Sequence, residues 1–148
     1  MNDIYKNTER LDPRLHSFNN SLFRWAECTT RDEAIAAANT PDAIAAREKW
    51  QQLINLSDNE QLAPSKGLKI WSEKITSHPD NNSINLQIIR PDTDEILPCV
   101  YYIHGGAMSQ LSCYLGNYRA WGKMIAAHGV AIVMVDFRNS VGPSSVEE

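Results

Sequence analysis

Two uninterrupted apolar runs constrain the fold of this sequence more than any other feature. The runs are Cys99–Ile103 and Val130–Val135, and between them Asn117 is placed to cap an amphipathic helix that Gly129 would end. Continuous apolar runs of this length are typical of strands buried on both faces. Two such strands joined by a helix form a βαβ unit with a right-handed crossover. The sequence therefore predicts an α/β fold with a parallel strand pair.

A strand hairpin is predicted ahead of this unit. Residues Leu68–Thr76 and Ser83–Arg90 alternate between apolar and polar side chains, and His78–Asn82 supplies turn residues between them. We therefore expect two antiparallel strands that precede the parallel pair.

The N-terminal part of the sequence has a helical pattern instead. Asp12 and Pro13 start one amphipathic stretch, Thr30 and Glu33 form a capping box for a short helix through Ala38, and Thr40 with Pro41 opens a third helix. In that third helix Ala43, Ala46, Trp50, Leu53 and Ile54 share a face that predicts core or inter-domain packing rather than a cofactor-binding site. The pattern lapses between Asn55 and Gly67, so we divide the chain into a helical segment, 1–60, and a sheet-forming segment, 61–148.

Composition excludes several classes of protein. The chain has 148 residues, 43% of them hydrophobic, and a net charge of −4. Its basic residues are scattered, which argues against a nucleic-acid partner. No stretch approaches the ~20 apolar residues of a membrane span, and the N-terminus lacks the pattern of a secretory signal, so we expect a cytoplasmic protein.

The cysteines predict neither a disulfide framework nor a metal site. Cys28, Cys99 and Cys113 are odd in number and lack CxxC spacing, so we expect buried, inert thiols. No histidine has partners at metal-ligand spacing, and no fingerprint of a dinucleotide or nucleoside triphosphate site follows the first apolar strand. We therefore expect no metal and no organic cofactor.

The loop after the first apolar run is the candidate site. It contains His104, Gly105, Gly106 and Ala107, at the carboxyl end of a predicted parallel strand, where α/β proteins place their ligands. Successive backbone N–H groups at such a position suit a negatively charged oxygen. The sequence therefore predicts an oxyanion hole.

An apolar strand ending in His-Gly-Gly, a helix, a second apolar strand and then Asp136-Phe137-Arg138 together resemble the hormone-sensitive-lipase-like family of α/β-hydrolases. The resemblance covers about Leu68 to Arg138. It implies the N-terminal part of an α/β-hydrolase core, with its first four strands, and it identifies the 1–60 segment as a helical cap over the active site.

The resemblance also implies site roles. The oxyanion donors would be the backbone N–H groups of Gly106 and Ala107, with Gly105 allowing the turn and His104 supporting the loop rather than acting as the catalytic histidine. Alanine stands where the family has a third glycine, so a positive φ at Ala107 would strain the loop.

Two further groups of residues follow from the motifs. Met108, Leu111 and Tyr114 either line an acyl or alcohol pocket beside the oxyanion hole or pack beneath the cap. Asp136 and Arg138 are expected to pair with each other or with neighbouring backbone. The residues from Asn139 to Pro143 depart from the family's usual Leu-Ala-Pro-Glu.

No G-x-S-x-G nucleophile elbow occurs in the sequence. We therefore expect a carboxylic ester hydrolase fragment, inactive alone, whose serine and triad lie on a second polypeptide. In the family the strand that ends in His-Gly-Gly lies between the second apolar strand and the strand of the nucleophile, so this polypeptide would pair with the open edge formed by Cys99, Val100, Tyr101, Tyr102 and Ile103. The alternatives are a non-catalytic small-molecule-binding protein on the same fold and an inactive truncated product. Association into a homo-oligomer is compatible with the sequence.

Overall fold

The computed structural model describes residues 30–141, and the chain divides between Ala46 and Arg47 into two compact units. The helix predicted from Asp12 and the thiol of Cys28 lie outside the described residues. None of the helices in the described range has the length and apolar character needed to cross a bilayer.

The two predicted helices before the sheet are present. Helix α1 spans Arg31–Ala38 and begins with the predicted capping box, in which Thr30 and Glu33 each bond the other's backbone N–H through a side chain at 3.2 Å. Helix α2 spans Pro41–Asn55. Neither helix has a fully buried residue, and Leu53 is 61% exposed, so this face is not part of a buried core within the described residues. Packing of the face against another domain stays a prediction.

Four strands form a single sheet in the order β1-β2-β4-β3. Strands β1 (Leu68–Thr76) and β2 (Ser83–Pro91) form the predicted antiparallel hairpin, and β2 also pairs antiparallel with β4 (Ala131–Asp136). Strand β3 (Cys99–Ile103) pairs parallel with β4. The predicted α/β class and βαβ unit are confirmed.

Helix α3 (Gly116–Ala126) connects β3 to β4 and covers one face of the sheet. The core at this contact contains fully buried side chains: Ile89, Cys113, Ala126, Ile132 and Met134. Apolar burial of this kind is the main favourable contribution to folding.

The cap predicted for α3 was wrong. The N-cap position is Leu115, which has no capping side chain, and Asn117 lies inside the helix. The first helical N–H, that of Gly116, instead donates at 2.8 Å to the side-chain oxygen of Asn55, the last residue of α2. The start of α3 is therefore satisfied by a residue 61 positions earlier in the chain.

A charged cluster joins the segment after α2 to helix α3. Lys123 has a side chain only 4% exposed and pairs with Asp58, which also accepts from Arg119 at 2.7 Å. Burial raises the pKa of Asp58, but the hydrogen bond from Lys123 and the positive charges of Arg119 and Lys123 outweigh it and hold that pKa below its usual value. Asp58 is therefore an ionised partner for a buried lysine.

Strand β3 forms an edge of the sheet. It pairs only with β4 among the described strands, and Tyr101 and Ile103 are 59% and 58% exposed. The open apolar edge expected from the sequence is thus present. Cys99, at its start, is exposed, so the expectation of a buried thiol was wrong there, whereas Cys113 is buried as expected.

Candidate active site

The loop after β3 makes a tight turn that only glycine fits at its centre. Gly106 has φ +115°, and a Cβ there would lie 2.1 Å from the carbonyl oxygen of Gln110. The Gly106 carbonyl accepts from the N–H groups of Ser109 and Gln110, at 3.0 and 3.3 Å, and from the Ser109 hydroxyl at 2.9 Å. Hydrogen bonds to the Gly106 carbonyl therefore stabilise the turn, and the nearby Gln110 carbonyl leaves no room for a side chain at position 106.

Left-handed backbone continues beyond the glycine. Ala107 has φ +53° and Met108 has φ +57°. For an L-residue with a side chain this conformation costs roughly 1–2 kcal/mol. The strain foreseen for alanine in place of the family's third glycine is therefore present.

The N–H groups of Gly106 and Ala107 bond no acceptor within residues 30–141. Ala107 is exposed and Gly106 is partly exposed. They lie just beyond the carboxyl end of β3, which is the ligand-binding edge of a parallel strand pair. Backbone amides left open at this edge can receive an external anion or oxyanion.

His104 is buried beneath this loop. Its Nδ1 lies 2.7 Å from the carbonyl oxygen of Gly105, and its ring stacks on Phe137 with centroids 4.3 Å apart. Because a carbonyl oxygen only accepts, Nδ1 is the donor. The Gly105 carbonyl and the Gly106 N–H belong to one planar trans peptide and point in opposite directions. The histidine therefore fixes the direction of the Gly106 N–H.

Asp136, at the end of β4, lies close to both Cys113 and His104. Its Oδ1 accepts from the Cys113 N–H at 3.2 Å and lies 3.9 Å from Nε2 of His104, and both of these acid and imidazole side chains are fully buried. Burial, together with the Asp136 charge, raises the pKa of the Cys113 thiol to about 12. The thiol is therefore protonated near neutral pH and cannot act as a nucleophile.

Arg138 does not pair with Asp136, contrary to the first of the two expected arrangements. Its guanidinium donates to Asp80 of the β1–β2 turn at 2.7 Å, whereas Asp136 bonds backbone. The turn and the residues after β4 border a groove of about 480 Å³, whose walls include His78, Ile84 and Phe137. Phe137 therefore separates this groove from His104.

The three predicted pocket residues, Met108, Leu111 and Tyr114, do not all lie at the site. Met108 is 69% exposed beside the free N–H groups, and Leu111, with φ +80°, packs against Gly106. The Tyr114 hydroxyl donates to Ser72 at 3.0 Å, in β1 at the opposite edge of the sheet from β3. Met108 and Leu111 thus lie beside the candidate oxyanion donors, whereas the hydroxyl of Tyr114 is directed toward the opposite edge of the sheet.

Three residues that the sequence did not predict as site residues also contact the loop. The side-chain amide of Asn139 donates to the Leu111 carbonyl, and the N–H groups of Ser140 and Val141 donate to the carbonyls of Met108 and Ser109. The departure from the family's Leu-Ala-Pro-Glu marked this segment as unusual, but no local pattern indicated its partners. Among residues 30–141, no three His, Cys, Asp or Glu side chains come together as metal ligands.

Comparisons with known proteins agree with this architecture. The structure is similar to that of esterase Est22, with a TM-score of 0.79 and 51% identity over 82% of this chain and 36% of that one. Est22 with p-nitrophenol is 45% identical over 97% of this chain and 42% of that one, with a TM-score of 0.79.

Two more distant esterases are also similar. Brefeldin A esterase, described as a bacterial homologue of human hormone-sensitive lipase, is 27% identical over 81% of this chain and 31% of its own length, with a TM-score of 0.57. Gut esterase 1 of Caenorhabditis elegans is 31% identical over 65 residues, 44% of this chain and 12% of that protein. No protein-family model matches the sequence. The chain spans 36% of the length of the first Est22 structure and a smaller share of these two esterases.

Proposed function

We propose that this chain, which in sequence and fold is the N-terminal portion of a hormone-sensitive-lipase-like α/β-hydrolase, supplies the oxyanion hole of a carboxylic ester hydrolase. The observation that carries the proposal is the pair of unbonded N–H groups of Gly106 and Ala107 at the carboxyl end of β3. The neighbours named as esterases support the reaction class.

The chemistry is acyl transfer through a tetrahedral intermediate. A serine attacks the ester carbonyl, and the carbonyl oxygen becomes negatively charged as the tetrahedral centre forms. The N–H groups of Gly106 and Ala107 stabilise that charge, and comparable donors each contribute about 2.7–4 kcal/mol to the transition state. Gly105 permits the turn and His104 fixes the peptide that carries the Gly106 donor. Met108 and Leu111 border the substrate on the loop side.

The serine and the rest of the triad lie on further polypeptide that pairs with β3. The support is the edge itself, where Val100, Tyr101 and Ile103 expose 36%, 59% and 58% of their surface. An apolar edge strand of this kind favours pairing with another strand. Because no G-x-S-x-G motif occurs in the sequence, we expect the chain to be inactive until that polypeptide is added.

The 1–60 segment, for which the sequence predicts helices, is the proposed cap of the site. Helix α2 supports this assignment because it carries no buried residue, so an apolar side chain such as Leu53 remains available for contacts. The cytoplasmic location expected from the N-terminal residues stays a prediction.

Complementation tests the proposal. The purified chain is mixed with the remainder of the Est22 chain, expressed separately, and hydrolysis of a short-chain p-nitrophenyl ester is followed. We expect hydrolysis by the mixture, by neither part alone, and loss of hydrolysis after a serine-directed inhibitor. A complex that forms on gel filtration but does not hydrolyse the ester would contradict the proposal, as would turnover that survives the inhibitor. Ester binding without turnover would instead favour the non-catalytic binding protein.

A further inference from the structure

The loop that carries the two N–H donors contains an unusual number of strained residues. Ala107, Met108 and Leu111 all have positive φ, at +53°, +57° and +80°. Such residues persist only where surrounding contacts determine the backbone conformation. The loop therefore needs an external restraint.

That restraint comes from the segment after β4, residues 139–141, which we name the clamp. The Ser140 N–H donates to the Met108 carbonyl at 2.9 Å, and the Val141 N–H donates to the Ser109 carbonyl at 3.3 Å. The side-chain amide of Asn139 donates to the Leu111 carbonyl at 2.7 Å. Two of the three strained residues are thus bonded directly by the clamp.

Asn139 bonds the loop through its side chain, whereas Ser140 and Val141 bond it through backbone N–H groups. The acceptor of the Asn139 bond, Leu111, packs on the turn, since the Leu111 Cγ lies 3.1 Å from where a Cβ on Gly106 would be. A bond that holds Leu111 in place therefore also holds the side chain that packs against Gly106. The amide Nδ2 matters here because a carboxylate or an alkyl group at this position could not donate to a carbonyl.

We propose that Asn139 is a positioning residue that holds Ala107, Met108 and Leu111 in their left-handed conformation, and so compensates for alanine in place of glycine at position 107. The inference rests on the proposed function in one respect: the backbone that Asn139 holds carries the oxyanion donors. Asn139 is proposed to act on the site through its bond to the Leu111 carbonyl and not by contact with a reacting atom.

The proposal implies that positions 139 and 107 are energetically coupled. With glycine at position 107 the left-handed conformation carries no steric cost, so the loop depends less on the clamp. The effect of losing the Asn139 amide should therefore be smaller in an Ala107→Gly background, although the two side chains do not need to touch.

Hydrogen exchange of the 148-residue chain, followed by mass spectrometry over the peptides spanning 105–113, tests this coupling without any activity. Asn139→Asp removes the donor with little change of shape, and we expect exchange at the Ser109, Gln110 and Cys113 amides to become roughly fivefold faster or more. In the Ala107→Gly background the same change should have an effect below about twofold. Asn81→Asp is the matched control, because Asn81 is an exposed asparagine with φ +54° in the β1–β2 turn and, among the described residues, no hydrogen bond joins it to residues 107–111 or 139–141.

An equal effect of Asn139→Asp in both backgrounds, or no effect in either, would overturn the proposal. If Asn139→Asp does not fold, Asn139→Ala carries the same comparison, since the side chain is only partly buried.

A kinetic arm in the complex with the Est22 remainder separates positioning from general stability. We expect Asn139→Asp to lower kcat about tenfold with KM changed less than twofold, and Asn81→Asp to change neither. A raised KM with unchanged kcat would contradict a positioning role. If the wild-type complex does not hydrolyse esters at all, the proposed function fails, while the hydrogen-exchange coupling still decides whether Asn139 holds the loop.

Discussion

Ala107 is the residue where sequence and backbone conflict most directly. Its φ of +53° is tolerated by alanine at some cost and is much less accessible to a β-branched residue. We expect Ala107→Val to lower the free energy of unfolding by about 2 kcal/mol, and Ala107→Gly to leave it within about 1 kcal/mol of wild type. Urea denaturation measures both. Equal stability of the valine and glycine variants would mean that position 107 does not hold the left-handed conformation.

The thiols differ in reactivity because they differ in burial. Cys113 is buried beside Asp136, with a pKa raised to about 12, so roughly one thiol in ten thousand is ionised at pH 8. Cys99 is exposed at the start of β3. Peptide mapping after brief alkylation should find label on Cys99 and not on Cys113, and denaturant should make Cys113 label. Rapid native labelling of Cys113 would contradict its burial.

At the scale of elements, the start of α3 depends on the side chain of Asn55. Its carbonyl oxygen accepts the Gly116 N–H at 2.8 Å, which otherwise lacks a helical partner. Asn55→Ala should lower the free energy of unfolding by about 1 kcal/mol. Asn117→Ala is the control, because Asn117 was the cap expected from the sequence and makes no such bond. A larger loss at Asn117 would restore the sequence-based assignment.

The ion pair between Asp58 and Lys123 should make stability depend on pH. Opposing its burial, the hydrogen bond from Lys123 and the nearby positive charges lower the pKa of Asp58 in the folded state. Its contribution is therefore full above the unfolded pKa of about 3.9 and is lost as pH falls through the folded pKa. Asp58→Asn should cost about 2 kcal/mol at pH 7, since it leaves Lys123 buried with a weaker partner.

Chemical denaturation at several pH values tests this pair. The difference between wild type and Asp58→Asn should be constant from pH 7 to about pH 5 and shrink below about pH 4. A difference that grows on acidification would have the wrong sign for a carboxylate stabilised by positive charge.

At the scale of the whole molecule, the apolar edge of β3 should govern association. Tyr101→Lys and Ile103→Lys place charge on exposed side chains, so we expect them to leave the chain's own stability within about 1 kcal/mol and to weaken both self-association and complementation. Lys74→Arg, on the exposed part of β1, is the control. Sedimentation measures association, and unchanged complementation by both lysine variants would place the missing strand elsewhere.

Much of the secondary structure followed from the sequence because its signals are local. The alternation in β1 and β2, the apolar runs of β3 and β4, the Thr30–Glu33 capping box and the glycine turn at Gly106 each depend on neighbours within a few residues. The motifs then placed the candidate site at the end of β3.

Only the tertiary structure decided what holds that site in place. The bonds from Gly116 to Asn55, from Asn139 to Leu111 and from Cys113 to Asp136 join residues 61, 28 and 23 positions apart. No periodicity or local motif records such pairs, because a polar side chain can satisfy any group that folding brings within reach. The sequence by itself determined the strands and the position of the candidate loop, and the packing of distant segments decided how that strained loop is held.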